Sequence, residues 1–306
     1  MTGLGFCAVY NFANSPVRAE PPPFASPPRQ AQRESGAGAA NAPSAQRPAH
    51  AFRYDSGSSG PSLARAVAVE TPIEIAYGGQ PFAVMMGTPT DLEDFAAGFS
   101  LTEGIVERFE EIRAIEARVE DAAARVDVAL TGDRLRVHLA RRRAIAGRTG
   151  CGVCGVEDLD HLPKARRRSG PSQPPSPAAV GRAVAALDAH QPLNALTRAV
   201  HGAAWCDASG EILFAREDVG RHNALDKCIG ALLREGVDPE AGFLVVTSRC
   251  SYEMVAKAAA FGARALVAVS APTSLALDVA EAAGVALIVT ARRDSALTYE
   301  AHGASA

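Results

Sequence analysis

FLVVTSRCSYEMVAKAAAFGARALVAVSAPTSLALDVAEAAGVALIVTA, residues 243–291, decides the fold class of this chain. Three short apolar runs, FLVVTS (243–248), ALVAVS (265–270) and VALIVTA (285–291), are rich in Val, Leu and Ile and have the length of buried strands. Between them, YEMVAKAAAFG and SLALDVAEAAG have helical composition, and each ends near a glycine suited to the position just past a helix. Near-continuous apolar strands alternating with helices imply a mainly parallel sheet covered on both faces. The pattern extends upstream through EILFA (211–215) and NALDKCIGALLREG, where Leu225, Cys228, Ile229 and Leu232 form one apolar stripe at helical spacing. The expected class is α/β for residues 178–306.

The preceding part reads differently. ARAVAVE and PIEIAYGGQPFAVMMGT have strand composition, the second folded about a Gly-Gly turn. Thr90 stands where a helix cap is expected before DLEDFAAGFSLTEGI, with acids in the first turn and apolar residues at 92, 95, 96 and 99. VDVALTG and DRLRVHLA read as a further strand pair about Gly132-Asp133. Residues 63–165 are thus expected to form a smaller α+β domain. PKARRRSGPSQPPSP, at about 163–177, marks a linker. Residues 11–62 are dominated by Pro, Ala, Ser, Gly and Arg and bury too little apolar surface to offset ordering entropy, so 1–62 is expected to be a disordered extension.

Composition narrows the function classes. A net charge of −3 over 306 residues argues against nucleic acid as the main partner. No stretch reaches the roughly eighteen apolar residues of a membrane helix, and the first twenty residues lack the cationic start and apolar run of a signal peptide. Cysteines at 7, 151, 154, 206, 228 and 250 are too sparse for a disulfide framework, which points to a reducing cytoplasm.

In open α/β sheets, ligands bind beyond the carboxyl ends of the strands. Those ends feed the loops REDVGRHN (216–223), SRCSYE (248–253), SAPTS (270–274) and TARRDS (290–295). Three open onto helix N-termini, which favour anions, and Arg221, His222, Arg249, Arg292 and Arg293 supply cations suited to phosphate oxygens. Structural roles fit the same residues: Asp218, Arg221 and His222 suit a helix cap with paired neighbours, and Arg249, Arg292 and Arg293 suit a solvated rim. Cys206 and Cys228 fall in apolar patterns as packing residues, and Cys250 at a helix start is assigned the same role.

GRTGCGVCG (147–155) sets Cys151 and Cys154 among four glycines, downstream of Arg141, Arg142 and Arg143 and beside Arg148. Three chemistries are open to it. A structural zinc site needs four N/S ligands and normally two close pairs, whereas this chain has one CxxC. A redox dithiol wants the CxxC to open a helix after a strand. A sulfur-carrying cysteine needs an exposed hinged loop, cations that favour the thiolate and a second thiol for exchange. Residue chemistry alone leaves the three level.

Several stretches together decide among them by resemblance. TGCGVCG, EDVGRHNALDK, SRCSYEMVAKAA, AVSAPTSLALDVAE and AVMMGTPTDLEDFAAGFSLTEGI, in this order from about 65 to 300, resemble the formate dehydrogenase accessory sulfurtransferase family (FdhD). The resemblance implies a C-terminal cytidine-deaminase-like three-layer domain. It implies transfer of persulfide sulfur from a cysteine desulfurase to the molybdenum bis(molybdopterin guanine dinucleotide) cofactor, which then enters formate dehydrogenase. Cys151 would form the persulfide, with Cys154 as partner or relay. No permanently bound metal is expected, and neither H-x-E nor P-C-x-x-C, the deaminase zinc signature, is present. Gly220, Arg221, His222, Ser248 and Arg249 become candidate nucleotide contacts. Thr290, Ala291, Arg292, Arg293, Asp294 and Ser295 overlie the family's cofactor-binding stretch, with Asp294 and Ser295 where relatives carry Gly and Arg. An acid beside a pyrophosphate is unfavourable, so Arg292 and Arg293 are expected to take over that duty. A homodimer is the default assembly. A chaperone that inserts the cofactor without moving sulfur is the alternative function, and a small zinc-binding structural protein a further one.

Overall fold

The computed structural model describes residues 44–52, 54, 59–120, 123–143 and 174–299. The CxxC loop, most of the expected linker and residues 1–43 lie outside that set. In the first half, β3 (Thr71–Tyr77) and β4 (Gln80–Gly87) pair about Gly78 and Gly79. Their φ values of 58° and 74° suit residues without a Cβ. β6 (Ala124–Leu130) lies between β3, to which it runs parallel, and β5 (Ile112–Val119), to which it runs antiparallel, giving the order β4-β3-β6-β5.

Three expectations are corrected here. DRLRVHLA is not a strand but the start of helix α2 (Gly132–Arg143). Both edges of β6 are already occupied by β3 and β5, so the segment cannot pair with the strand it follows, and its Leu, Arg and Ala favour helix. Thr90 does not cap α1 (Leu92–Thr102); the N-cap is Asp91, in the left-handed region at φ 51°, with no side-chain cap. The Asp91 carboxylate instead faces Arg216 at 3.4 Å. Order also begins before residue 63. β1 (Ser44–Phe52) and β2 (Ser59–Ala68) form an antiparallel pair, joined by backbone pairing that Ala- and Ser-rich composition does not advertise, and β2 packs on α4 (Pro192–Thr197).

The second half follows the strand–helix alternation. After α3 (Pro177–Ala186) come β7 (His201–Asp207), β8 (Ile212–Asp218), α5 (Arg221–Arg234) and β9 (Gly242–Val246). These are followed by α6 (Tyr252–Phe261), β10 (Ala265–Ala268), α7 (Ser274–Ala283), β11 (Ala286–Val289) and the short β12 (Leu297–Thr298). The sheet order is β12-β11-β10-β9-β7-β8. β8, β9, β10 and β11 run in one direction, while β7 and β12 oppose them. The sheet is therefore mixed rather than mainly parallel in its pairing, because β7, which the sequence pattern did not reveal, inserts between β8 and β9. Its small residues Gly202, Ala203 and Ala204 lack a strand signature.

Side chains alternate across this sheet. Phe243, Val245, Ala265 and Val267 pack with Ala179, Val180 and Ala183 of α3, while Leu244, Val246, Leu266 and Ala268 share a second core with α5, α6 and α7. That second core continues through α1 into Ile73, Ile75, Val126 and Val128 of the four-stranded sheet. α1 lies against α5 at backbone contact. A Cβ added at Gly98 would stand 1.9 Å from the Asp226 carbonyl oxygen, and one at Gly230 would stand 1.7 Å from that of Asp94.

Candidate functional site

The C-terminal ends of β8, β9, β10 and β11 lie along one edge of the six-stranded sheet, with the start of β7 beside them. The four sequence-identified loops therefore meet there. EDVGRHNALDK divides into two parts at this edge. Its inward part is sealed. Asp218 is fully buried; its Oδ2 accepts from the Thr88 backbone N–H at 2.9 Å and faces Lys227 Nζ at 2.7 Å, while its Oδ1 accepts from Gly220 N and Asn223 Nδ2. Lys227 also donates to the Thr88 carbonyl at 2.8 Å, and Asn223 Nδ2 to that of Met86. GTPTD and EDVGRHNALDK, 130 residues apart, are thus one buried polar junction in which each partner neutralises or satisfies another.

A second sealed cluster lies deeper between α1, α5 and α6. Asp226 accepts from Thr102 Oγ1 at 2.7 Å and Lys257 Nζ at 2.9 Å, and Lys257 reaches Glu103 at 3.0 Å. Burial opposes the Lys257 charge, but Asp226 and Glu103 outweigh it and hold Lys257 above the usual lysine range. Asp94 is likewise enclosed, paired with Arg216 at 2.7 Å and with Arg234.

The outward part keeps partial contact with solvent. His222 Nε2 lies 2.9 Å from Glu253 Oε2, bridging the first turns of α5 and α6, with side chains 21% and 18% exposed. The hydrogen bond to His222 holds the Glu253 carboxyl below its usual range, so it is an acceptor. His201, at the start of β7, is half-buried. Burial, and then the charge of Arg221, hold its imidazole below the ordinary histidine value. Arg221 Nε is buried with no hydrogen-bond partner among the described residues. The N-cap residues of α5 and α6 are Gly220 and Ser251, neither with a side-chain cap hydrogen bond, whereas Thr273 Oγ1 caps α7 by accepting from Ala276 N.

The neighbouring loops differ in how far they are committed. Ser248 is buried, with its hydroxyl on the Arg249 carbonyl, and Arg249 is exposed. Cys250 is sealed by backbone bonds between the 248–253 and 270–274 loops, Cys250 N to Ala271 O and Thr273 N to Cys250 O. Thr290 holds φ 51°, unusual for a β-branched residue, with its N–H on the Ser270 carbonyl, and Ala291 N donates to Ala268 O. Arg292 donates to the Val269 carbonyl, Arg293 pairs with Asp188 at 3.2 Å across an exposed gap, and Asp294 accepts from Ser295 Oγ. Both arginines and Asp294 thus have partners within the chain.

Cys206, Cys228 and Cys250 are buried thiols, each pushed up to about 12 by desolvation. None is a nucleophile near neutral pH. Cys151 and Cys154 lie outside the described residues. Among the described residues, no helix is long and apolar enough to cross a membrane.

A model of the FdhD/NarQ family matches residues 68–305, which contain the junction, the outward cluster and both CxxC cysteines. The chain belongs to the FdhD/NarQ family. Among its relatives, the sulfur carrier protein FdhD of Xanthomonas euvesicatoria pv. vesicatoria is 48% identical over 233 residues, 76% of this chain and 83% of the relative. The sulfur carrier protein FdhD of Chromobacterium violaceum is 48% identical over 252 residues, 81% of this chain and 93% of the relative. A crystal structure described as that of a formate dehydrogenase accessory protein from Desulfotalea psychrophila superposes with a TM-score of 0.65 at 25% identity. The match covers 85% of this chain and 98% of that one. Two residues of the outward cluster in this FdhD/NarQ protein escaped the sequence reading. His201 was hidden because β7 was not recognised. Glu253 stood inside the SRCSYE loop, but only the packing of α5 against α6 shows that it faces His222.

Proposed function

We propose that this FdhD/NarQ protein is a cytoplasmic sulfurtransferase. It would carry persulfide sulfur on Cys151 from a cysteine desulfurase to a molybdenum bis(guanine dinucleotide) cofactor destined for formate dehydrogenase. The distribution of thiols carries the reading. Of the five cysteines inside the family match, three are buried and pushed up to about 12, which leaves the glycine-flanked pair Cys151 and Cys154 for sulfur chemistry. The names of the relatives support sulfur carriage.

In the loading step the Cys151 thiolate attacks the outer sulfur of the donor persulfide. The new S–S bond forms as the old one breaks, and the donor cysteine leaves as thiolate. The cofactor is the acceptor substrate of the second step. Its pyrophosphates suit the uncapped starts of α5 and α6, with Arg221 and Arg249 as cations. A cytidine-deaminase-like architecture is part of the same proposal, and the layering of α3 on one face of the sheet and α5 to α7 on the other supports it.

Intact-protein mass spectrometry after incubation with a cysteine desulfurase and cysteine tests the carrier role. The expected result is a reductant-sensitive gain of one sulfur that Cys151→Ala abolishes; no gain in wild type, with nucleotide binding intact, would instead favour the chaperone. Replacing Arg221 and Arg249 is expected to weaken guanosine diphosphate binding, and unchanged affinity in both variants would remove the nucleotide site from this edge.

A further inference from the structure

An ionisable pair spans the gap between the two helices that start at this edge without a side-chain cap. Glu253 is held as carboxylate and accepts from His222 Nε2. In the neutral imidazole this fixes the proton on Nε2 and leaves the lone pair on Nδ1, which has no hydrogen-bond partner among the described residues. The other charged groups around the pair come from four elements. Arg221 stands on the same helix, His201 comes from β7, Asp218 at the end of β8 is already matched by Lys227, and Lys257 lies further along α6 on Asp226 and Glu103. Arg221 is the one cation of the group without a carboxylate partner among the described residues.

We infer that His222, positioned by Glu253, takes up a proton when a pyrophosphate-bearing ligand occupies this edge. The inference rests on the proposed function for where the ligand sits and adds what the site does on binding. A neutral Nδ1 presents a lone pair and cannot donate to a phosphate oxygen; the imidazolium donates from Nδ1 and keeps its Nε2–H on Glu253. An entering anion adds negative charge beside the ring and favours that form. The proton comes from solvent and is released when the ligand leaves, so binding strengthens as pH falls. Glu253 contacts no ligand in this scheme: it fixes the tautomer and supplies the negative charge that lets His222 become cationic beside Arg221.

The test is calorimetric titration of the full-length protein with guanosine diphosphate and, separately, inorganic pyrophosphate, from about pH 6 to about pH 8. Buffers of different ionisation enthalpy report proton uptake. Wild type is expected to take up part of a proton and to lose affinity by up to about tenfold per pH unit beyond what the ligand's own titration accounts for. His222→Gln should abolish the uptake. Glu253→Gln should keep binding and reduce the proton uptake, a change that a merely structural role would not produce. Binding of guanosine diphosphate without proton uptake, or uptake that survives His222→Gln, overturns the inference and leaves the nucleotide reading standing. Uptake with pyrophosphate but no binding of guanosine diphosphate supports the inference and overturns the guanine reading. Binding of neither ligand overturns both.

Discussion

The buried junction at Thr88 and the open pair at His222 use residues of one motif for opposite ends. Asp218, Asn223, Asp226 and Lys227 point inward and have their partners within the chain. Arg221 and His222, between and beside them in sequence, sit at the rim with groups that remain unsatisfied or half-exposed. The difference lies in where charge is compensated. Inside, each carboxylate meets a cation at 2.7 to 2.9 Å and several donors, so removing one partner leaves a buried charge. At the rim, Arg221 Nε has no hydrogen-bond partner among the described residues, and His222 and Glu253 stay partly exposed.

The sharpest test of that contrast is Lys227→Met, which leaves Asp218 fully buried without its cation. A loss of about 3–5 kcal/mol is expected in urea unfolding, whereas Arg221→Gln at the rim should cost less than about 1 kcal/mol. Equal losses would erase the distinction between junction and rim. Gly98→Ala comes next. Alanine is the better helix former by about 1 kcal/mol, yet its Cβ would meet the Asp226 carbonyl at 1.9 Å. A net destabilisation of about 3 kcal/mol is expected from forcing α1 and α5 apart, and a stabilised variant would show that the helices yield.

A smaller effect concerns acid. His201 is held below the ordinary histidine value, so the unfolded chain binds that proton first as pH drops. Its contribution is therefore complete above about pH 6.5 and is lost below it. Glu253, also lowered, contributes above the ordinary carboxylate range and loses its share only in stronger acid. His201→Asn should flatten the stability profile between about pH 7 and about pH 5 by less than about 1 kcal/mol, read from melting temperature at each pH; an unchanged slope would place the titration elsewhere. Smallest of all is Arg293→Ala. Its pair with Asp188 is exposed on both sides, so a stability change near zero is expected by the same melting assay.

Much of this was legible in the chain itself. The apolar runs at 243–248, 265–270 and 285–291 specified buried strands, and the glycines after α6 and α7 specified helix ends, because burial and left-handed caps act over a few neighbouring residues. The motif order also determined family membership. What local pattern could not reveal was anything set by a distant partner. DRLRVHLA alternates like a strand, but β6 has no vacant edge for it. Ala- and Ser-rich β1 and β2 pair through backbone groups that every residue carries, and β7 is specified by the strands on both its sides. The same holds for the site. Arg221 and His222 were visible as chemistry-bearing residues, while their division from Asp218 and Lys227 depends on which way each side chain leaves the end of β8 and the first turns of α5. Glu253 becomes the partner of His222 only when α5 and α6 pack, 31 residues apart in sequence and 2.9 Å apart in space. Sequence determined which groups are present; the tertiary structure decided which of them lost water and which kept it, because desolvation depends on everything packed around a charge.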